Sequence, residues 1–245
     1  MSRYKIIVEY DGTPFSGWQR QDECDTVQQR LEEAVFPLIK TRVTIYGSGR
    51  TDAGVHALGQ VAHFDLSNYN NCSKIRGCMN AHLSNIPISV ISVEEVDPNF
   101  DARFSAVERF YLYKILNRRV RPSIDVNRVW HIPYELDVNK MNEAAQCLIG
   151  KHDFSSFRAT GCQSSSPTKT LNKISVQKRG DIIAIEVAAR SFLYRQVRNI
   201  VGSLCFVGNK KWSKQNFAEV LNAKDRTKAG PTAPACGLYL LNVKY

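Results

Sequence analysis

The sequence predicts an α+β protein built from two ferredoxin-like subdomains, residues 1–105 and 106–245, whose mainly antiparallel sheets meet side by side around a cleft. Strand-period and helix-period segments follow the order β-α-β-β-α-β through the first hundred residues, and that order recurs in the remainder without any repeat of the sequence itself. A length of 245 residues, with 43% hydrophobic and 23% charged residues, suits a globular chain with a sizeable core and excludes a disordered or fibrous one. Ligand sites favour boundaries between such units.

Residues 4–10 alternate Ile6 and Val8 with Lys5 and Glu9, the period of a half-buried strand, and Asp11-Gly12-Thr13-Pro14 then turns the chain. Thr26-Val27-Gln28-Gln29 resembles a capping box, and Val27, Leu31, Ala34, Val35 and Leu38 recur at helical spacing, with Pro37 expected to kink or end that helix. A strand over 43–46, a strand over 60–65, a helix marked by Ile75, Met79 and Leu83, and a strand over 88–96 complete the first half. The second half offers a strand at 109–117 and a helix at 138–148. A hairpin follows, 169–178 with 181–189, turned at Arg179-Gly180. Helices at 191–207 and 213–223 lead to a final strand at 237–244.

The net charge of +10 is unevenly placed: residues 1–105 hold 10 Lys and Arg against 13 Asp and Glu, a net of −3, while residues 106–245 hold 23 against 10, a net of +13. A basic surplus confined to one half suggests an acidic polymer as partner, nucleic acid rather than membrane, because no Lys-rich helix with a bulky apolar face is present. Charge speaks to association and not to fold, so a generally basic protein without such a partner is the plainer alternative. The seven cysteines, at 24, 72, 78, 147, 162, 205 and 236, form no C-x-x-C pair and have no histidine at finger spacing, which argues against zinc. With no apolar signal core and no run of eighteen apolar residues, the expectation is a soluble cytoplasmic protein with free thiols.

Chemistry concentrates in Gly47-Ser48-Gly49-Arg50-Thr51-Asp52-Ala53-Gly54-Val55-His56-Ala57. Glycines surround one carboxylate where a strand ends, and Arg50 two residues away favours the ionised form of Asp52. Asp52 therefore reads either as a nucleophile or base or as the Asp of an Asx-turn, and spacing alone leaves both open. A phosphate loop is excluded, since Asp52 stands where G-x-G-x-x-G needs its third glycine and no G-x-x-x-x-G-K-[ST] occurs.

His56 admits ligation, titration or a simple hydrogen bond. Arg195 and Arg198, three residues apart beside the apolar stripe Leu193, Val197, Ile200, Val201 and Leu204, read as a shared flank of one helix, either solvated or facing a ligand. Tyr111 and Tyr113 point to one side of their strand, Phe110 and Leu112 to the other, and such tyrosines are core residues or stacking surfaces. Phe154-Ser155-Ser156-Phe157-Arg158 reads either as an RNA contact or as a turn.

Seven ordered motifs resemble the bacterial tRNA pseudouridine synthase A family, from Tyr10 nearly to Tyr245. They are Tyr10-Asp11-Gly12-Thr13 with Gly17-Trp18-Gln19; Gly49 to Ala57; Gln60-Val61-Ala62-His63-Phe64; Ala102-Arg103-Phe104-Ser105-Ala106; His152 to Arg158; Val197-Arg198-Asn199-Ile200-Val201-Gly202; and Ala233 to Leu240. The resemblance implies an isomerase that converts uridine to pseudouridine in the anticodon stem-loop of tRNA, at tRNA positions 38, 39 and 40, with no cofactor and no metal. It implies Asp52 as the catalytic nucleophile, Arg198 as its ion-pair partner, and Tyr111 stacked on the uracil with a possible part in proton transfer. Arg50, Leu238 and Arg195 would complete the substrate-binding set, and a homodimer would engage the tRNA. Base extrusion is physically required, because a stacked uridine hides its glycosidic bond. Tyr194-Arg195 stands where relatives often carry two histidines, and Phe110 where an arginine is common; neither departure removes a chemical role.

Overall fold

The computed structural model describes residues 1–67 and 71–245 and has the α+β class that the periodicities predict. Its chain divides into two compact units, Met1–Val107 with Tyr239–Tyr245, and Glu108–Leu238. The C-terminal segment thus belongs with the first unit. Tyr239 and Leu240 pair in parallel with His56 and Ala57, Val107 N–H donates to the Lys244 carbonyl, and the Tyr245 hydroxyl donates to the Ala102 carbonyl.

In the first unit, β1 (Ser2–Tyr10) lies between β4 (Ile88–Val96) and β3 (His56–Leu66), antiparallel to both. The other edge of β3 is shared between β2 (Tyr46–Gly47) and β10 (Leu238–Lys244). Tyr4 faces Phe64 and Ile6 faces Ala62 across the ladder, so these residues share one face and form a core with Leu31, Ala34 and Val35 of α1 (Val27–Ile39) and Ile75 and Met79 of α2 (Cys72–His82).

Only half of the expected capping box forms: Thr26 Oγ1 accepts from Gln29 N–H at 3.4 Å, but the Gln29 side chain turns to Glu33 instead. Pro37 lies inside α1, which runs on to Ile39 and stops at Lys40, a left-handed residue with φ 57° whose N–H reaches the Phe36 carbonyl. The strand expected over 43–46 shrinks to Tyr46–Gly47, because α1 side chains take the Ile45 backbone: Gln28 Nε2 donates to its carbonyl and Glu32 accepts its N–H. Conversely, β3 begins at His56 rather than 60, since β10 supplies a ladder for its first residues.

In the second unit, β5 (Glu108–Asn117), β9 (Ile182–Ala189), β8 (Thr168–Arg179) and β7 (Gly150–Asp153) form an antiparallel sheet, with β6 (Trp130–Ile132) parallel beside β5. The short β6 and β7 lack enough periodicity to be visible in the sequence. Helix α3 (Val138–Ala145) ends in a 3-10 turn over Gln146–Leu148, α4 runs from Gln196 to Gly208 and α5 from Lys214 to Ala223. Helix α4 starts five residues later than expected. Leu193 and Gln196 close a turn on themselves, with Gln196 Oε1 accepting Leu193 N–H at 2.8 Å, and the Cys162 sulfur accepts Tyr194 N–H. The helix is also buried nearly all round rather than on one stripe, which its small residues Gly202 and Ser203 permit.

Candidate active site

Asp52 is half-buried in a turn closed by Val55 N–H to the Asp52 carbonyl at 3.1 Å, with Gly54 at φ 75°. The loop 47–57 is gripped on one side by the opening motif. A Cβ on Gly12 would lie 2.0 Å from the Val55 carbonyl oxygen, and one on Gly17, at φ 100°, would lie 2.7 Å from the Thr51 carbonyl oxygen. These two glycines are what let main chain approach main chain. Trp18 N–H donates to the Thr51 carbonyl at 3.1 Å, the Tyr10 and Thr51 hydroxyls are 2.8 Å apart, and the Trp18 indole lies flush against Gly47.

On its other side, Ser48 N–H reaches the Val61 carbonyl at 2.7 Å, Ser48 Oγ bonds Gln60 Oε1, and Gln60 Nε2 donates to the Gly49 carbonyl. Asp52 is therefore fixed by backbone hydrogen bonds on both flanks, a degree of support that a solvent-facing Asx-turn does not need. Arg50 is exposed, with Nε donating to Gln19 Oε1 at 3.1 Å.

His56 resolves to a structural role: it is buried, its Nδ1 accepts Gly12 N–H at 3.0 Å, and its ring stacks on Tyr239 with centroids 4.7 Å apart. Asp11 Oδ1 lies 3.1 Å from the same nitrogen and also accepts the N–H and hydroxyl of Thr13, which sets this carboxylate in an Asx-turn beside the ring. Both glycine motifs are visible in the sequence, but that one braces the other is not; the paired glycines at 12 and 17 are its only local mark.

In the second unit, Tyr111 is buried on the β5 face that also carries Tyr113, and Phe192 meets it edge-on at 5.1 Å and 87°. Phe192, outside any helix or strand, gave no sequence signal. Tyr113 is core: its hydroxyl donates to the Pro234 carbonyl at 2.8 Å, and burial raises its pKa strongly. Arg198 Nε donates to the Ala233 carbonyl at 2.8 Å while Ala233 N–H returns to the Arg198 carbonyl, so the guanidinium is held at its base. Leu238, the first residue of β10, is buried.

Arg195 does not share a helix flank with Arg198. It precedes α4 at φ 58°, exposed, with its guanidinium 4.8 Å from the centre of the Tyr194 ring. Beneath Arg198, the Asn199 amide donates to the Phe157 carbonyl and accepts from Arg226 and Thr232, and Arg226 also reaches the Gly230 carbonyl. This network ties the loop before β10 to α4, and Gly202 allows it: a Cβ there would lie 1.7 Å from the Pro231 carbonyl oxygen. The segment 154–158 proves to be a packed turn, with Phe154 and Phe157 in the core and Ser156 Oγ accepting Asp225 N–H.

A groove of about 580 Å³ lined by Leu38, Ile39, Arg42, Tyr46 and Asp65 among others holds no member of the loop 47–57. Among the described residues, no three His, Cys, Asp or Glu side chains cluster as a metal would require, all seven cysteines are thiols, and no helix is long and apolar enough to cross a membrane.

A family model described as tRNA pseudouridine synthase matches residues 6–105 and 144–245. Over all 245 residues the chain is 52% identical to the tRNA pseudouridine synthase A of Afipia carboxidovorans, covering 100% of both chains. It is 53% identical to that of Paramagnetospirillum magneticum, covering 96% of the relative, and 53% identical to that of Xanthobacter autotrophicus, covering 100%.

Proposed function

This chain belongs to the tRNA pseudouridine synthase family and isomerises uridine to pseudouridine in tRNA, and we propose that it does so in the anticodon stem-loop with Asp52 as the attacking carboxylate. What carries the assignment is the way Asp52 is held, on a turn whose backbone is clamped by Gly12, Gly17, Trp18 and Gln60. The reaction breaks the bond between C1′ and N1 of the uridine, and the base rejoins through C5. C5 loses a proton and N1 gains one, so the atoms balance without a redox partner. Attack on the ring, attack on the anomeric carbon and removal of a ribose proton all require an ionised carboxylate.

In this reading Arg198 is the ion-pair partner of Asp52; its Nε bond to Ala233 restricts the plane of the guanidinium, which suits paired donation to a carboxylate. Tyr111 stacks on the uracil and can move the C5 proton, with Phe192 setting the angle of its ring. Arg50 and Arg195, both exposed and both with cationic heads, contact the phosphates around the extruded nucleotide, and Leu238 supplies an apolar wall. Residues 1–105 carry Asp52 and residues 106–245 its basic partners. A homodimer acting in the cytoplasm, and targets at tRNA positions 38, 39 and 40, rest on the family resemblance.

Asp52→Ala is expected to abolish tritium release from C5-tritiated uridine in tRNA while tRNA binding persists. Full activity in that variant overturns the role of Asp52, and mapping pseudouridine in tRNA treated with the enzyme checks the target positions.

A further inference from the structure

The loop between β4 and β5 presents the most exposed aromatic ring among the described residues: Phe104 is 75% accessible, against 54% for Tyr46, the next. Such exposure is unremarkable on a mobile loop, where the ring samples many positions. This loop is built the other way.

Asp101 Oδ1 accepts the N–H groups of both Arg103 and Phe104, at 2.7 and 2.8 Å, and Ser105 Oγ accepts Asp101 N–H. Ala102 N–H donates to His63 Nδ1 at 3.0 Å while its carbonyl accepts the Tyr245 hydroxyl at 2.7 Å, and the Arg3 guanidinium donates to the Phe100 carbonyl. The Phe100 ring packs edge-on to His63 and against Tyr245, which anchors the loop's inner side to β3 and to the residue that follows β10. Backbone on both sides of Phe104 is thus tied down, and the ring is held out to solvent on a rigid support.

The Arg103 guanidinium lies 5.4 Å from the centre of the Phe104 ring. An exposed ring paired with a cation is the surface that unpaired nucleobases use: the ring offers a face to the base and the guanidinium offers charge to its phosphate. The carboxylates of Asp97 and Asp101, the loop's own acidic groups, each have one oxygen occupied by backbone N–H groups of the loop. Val107 is the other exposed large apolar residue of this stretch; a hydrophobic protein partner would ask for a broader contiguous apolar patch, whereas a base asks only for the face of the ring.

We propose that Phe104, with Arg103, is a stacking platform for an unpaired base of the tRNA substrate, distinct from the target uridine assigned to Tyr111. The proposal rests on the tRNA substrate of the preceding reading. Rigidity matters to it, because a ring already fixed in place loses little further freedom when a base settles on it.

The test uses the full chain and unmodified tRNA, comparing Phe104→Ala, Phe104→Leu and Phe104→Trp in both equilibrium binding and tritium release. Loss of one stacking face is expected to weaken binding and raise KM about ten- to hundredfold in the Ala and Leu variants, with kcat at saturating tRNA retained, while Trp keeps the wild-type values. Wild-type binding by Phe104→Ala overturns the platform. So does a Leu variant as competent as Trp, which would mean apolar contact without stacking. So does an Ala variant whose weaker binding tracks a change in sedimentation, which would assign the ring to a second protein copy. Melting curves of all three variants should overlay the wild type, since the ring buries little. Wild-type protein that binds tRNA but releases no tritium would remove the isomerase reading, and the binding arm would still decide the role of Phe104.

Discussion

Gly17 and Gly180 both have positive φ, at 100° and 58°, yet only one of them is packed. A Cβ on Gly180, in the hairpin turn between β8 and β9, meets nothing within 4 Å, whereas on Gly17 it strikes the backbone that carries Asp52. Gly180→Ala therefore pays only backbone strain, about 1 kcal/mol, and should leave kcat unchanged. Gly17→Ala must also displace Thr51 and Asp52, and sub-ångström shifts of a reacting group cost rate as well as stability. The expected outcome is a loss of kcat of about tenfold or more in Gly17→Ala, with melting and single-turnover tritium release measured on both variants. Equal kcat in the two would mean that the loop tolerates movement and that Asp52 needs no such support.

Elements owe their boundaries to side chains that satisfy exposed main-chain groups. Ser213 caps α5 with both halves of a capping box formed, accepting Asn216 N–H at 3.1 Å while Asn216 Oδ1 accepts Ser213 N–H at 3.0 Å. Ser213→Ala should cost about 1 kcal/mol, a fall of about 2–4 °C in Tm for a chain of this size, without touching activity. Between β1 and β3, Arg3 meets Asp65 through two bonds of 2.7 and 2.8 Å, which holds the Asp65 carboxyl below its ordinary value of 3.8. A folded-state pKa below the unfolded one means stability that is present above pH 3.8 and is lost as pH falls through the folded value. Asp65→Asn should remove that part of the acid sensitivity and lower stability at neutral pH, both read by melting across an acid titration. Partial exposure of both groups keeps the effect modest.

At the scale of the whole molecule, the net of +13 over residues 106–245 against −3 over residues 1–105 predicts binding by counterion release. Affinity for tRNA should fall at least about tenfold as monovalent salt rises fourfold, and a flat response would exclude contact with several phosphates. Much of this molecule was legible in advance: the alternation of Ile6 and Val8, the heptad-like spacing of Val27, Leu31 and Ala34, and the turn at Gly180 are local patterns that local physics obeys. The truncation of β2 was not, because Gln28 and Glu32 of α1 compete for the Ile45 backbone from more than ten residues away. Nor was the late start of α4, since Cys162 holds Tyr194 across thirty-two positions of sequence.

By itself the sequence determined the α+β class, the loop that bears Asp52 and the uneven charge, because periodicity, glycine content and ionisable groups are properties of composition and near neighbours. Its motifs also determined the family, which the matches at 52 and 53% identity establish. Only tertiary structure decided that Gly12 and Gly17 brace the turn of Asp52, that His56 is a buried acceptor, that Arg195 stands off the helix of Arg198, and that Phe104 is held rigidly in solvent. Each of those outcomes depends on which distant backbone groups meet, and such pairings follow from close packing in three dimensions, where one missing Cβ or one captured carbonyl settles the geometry.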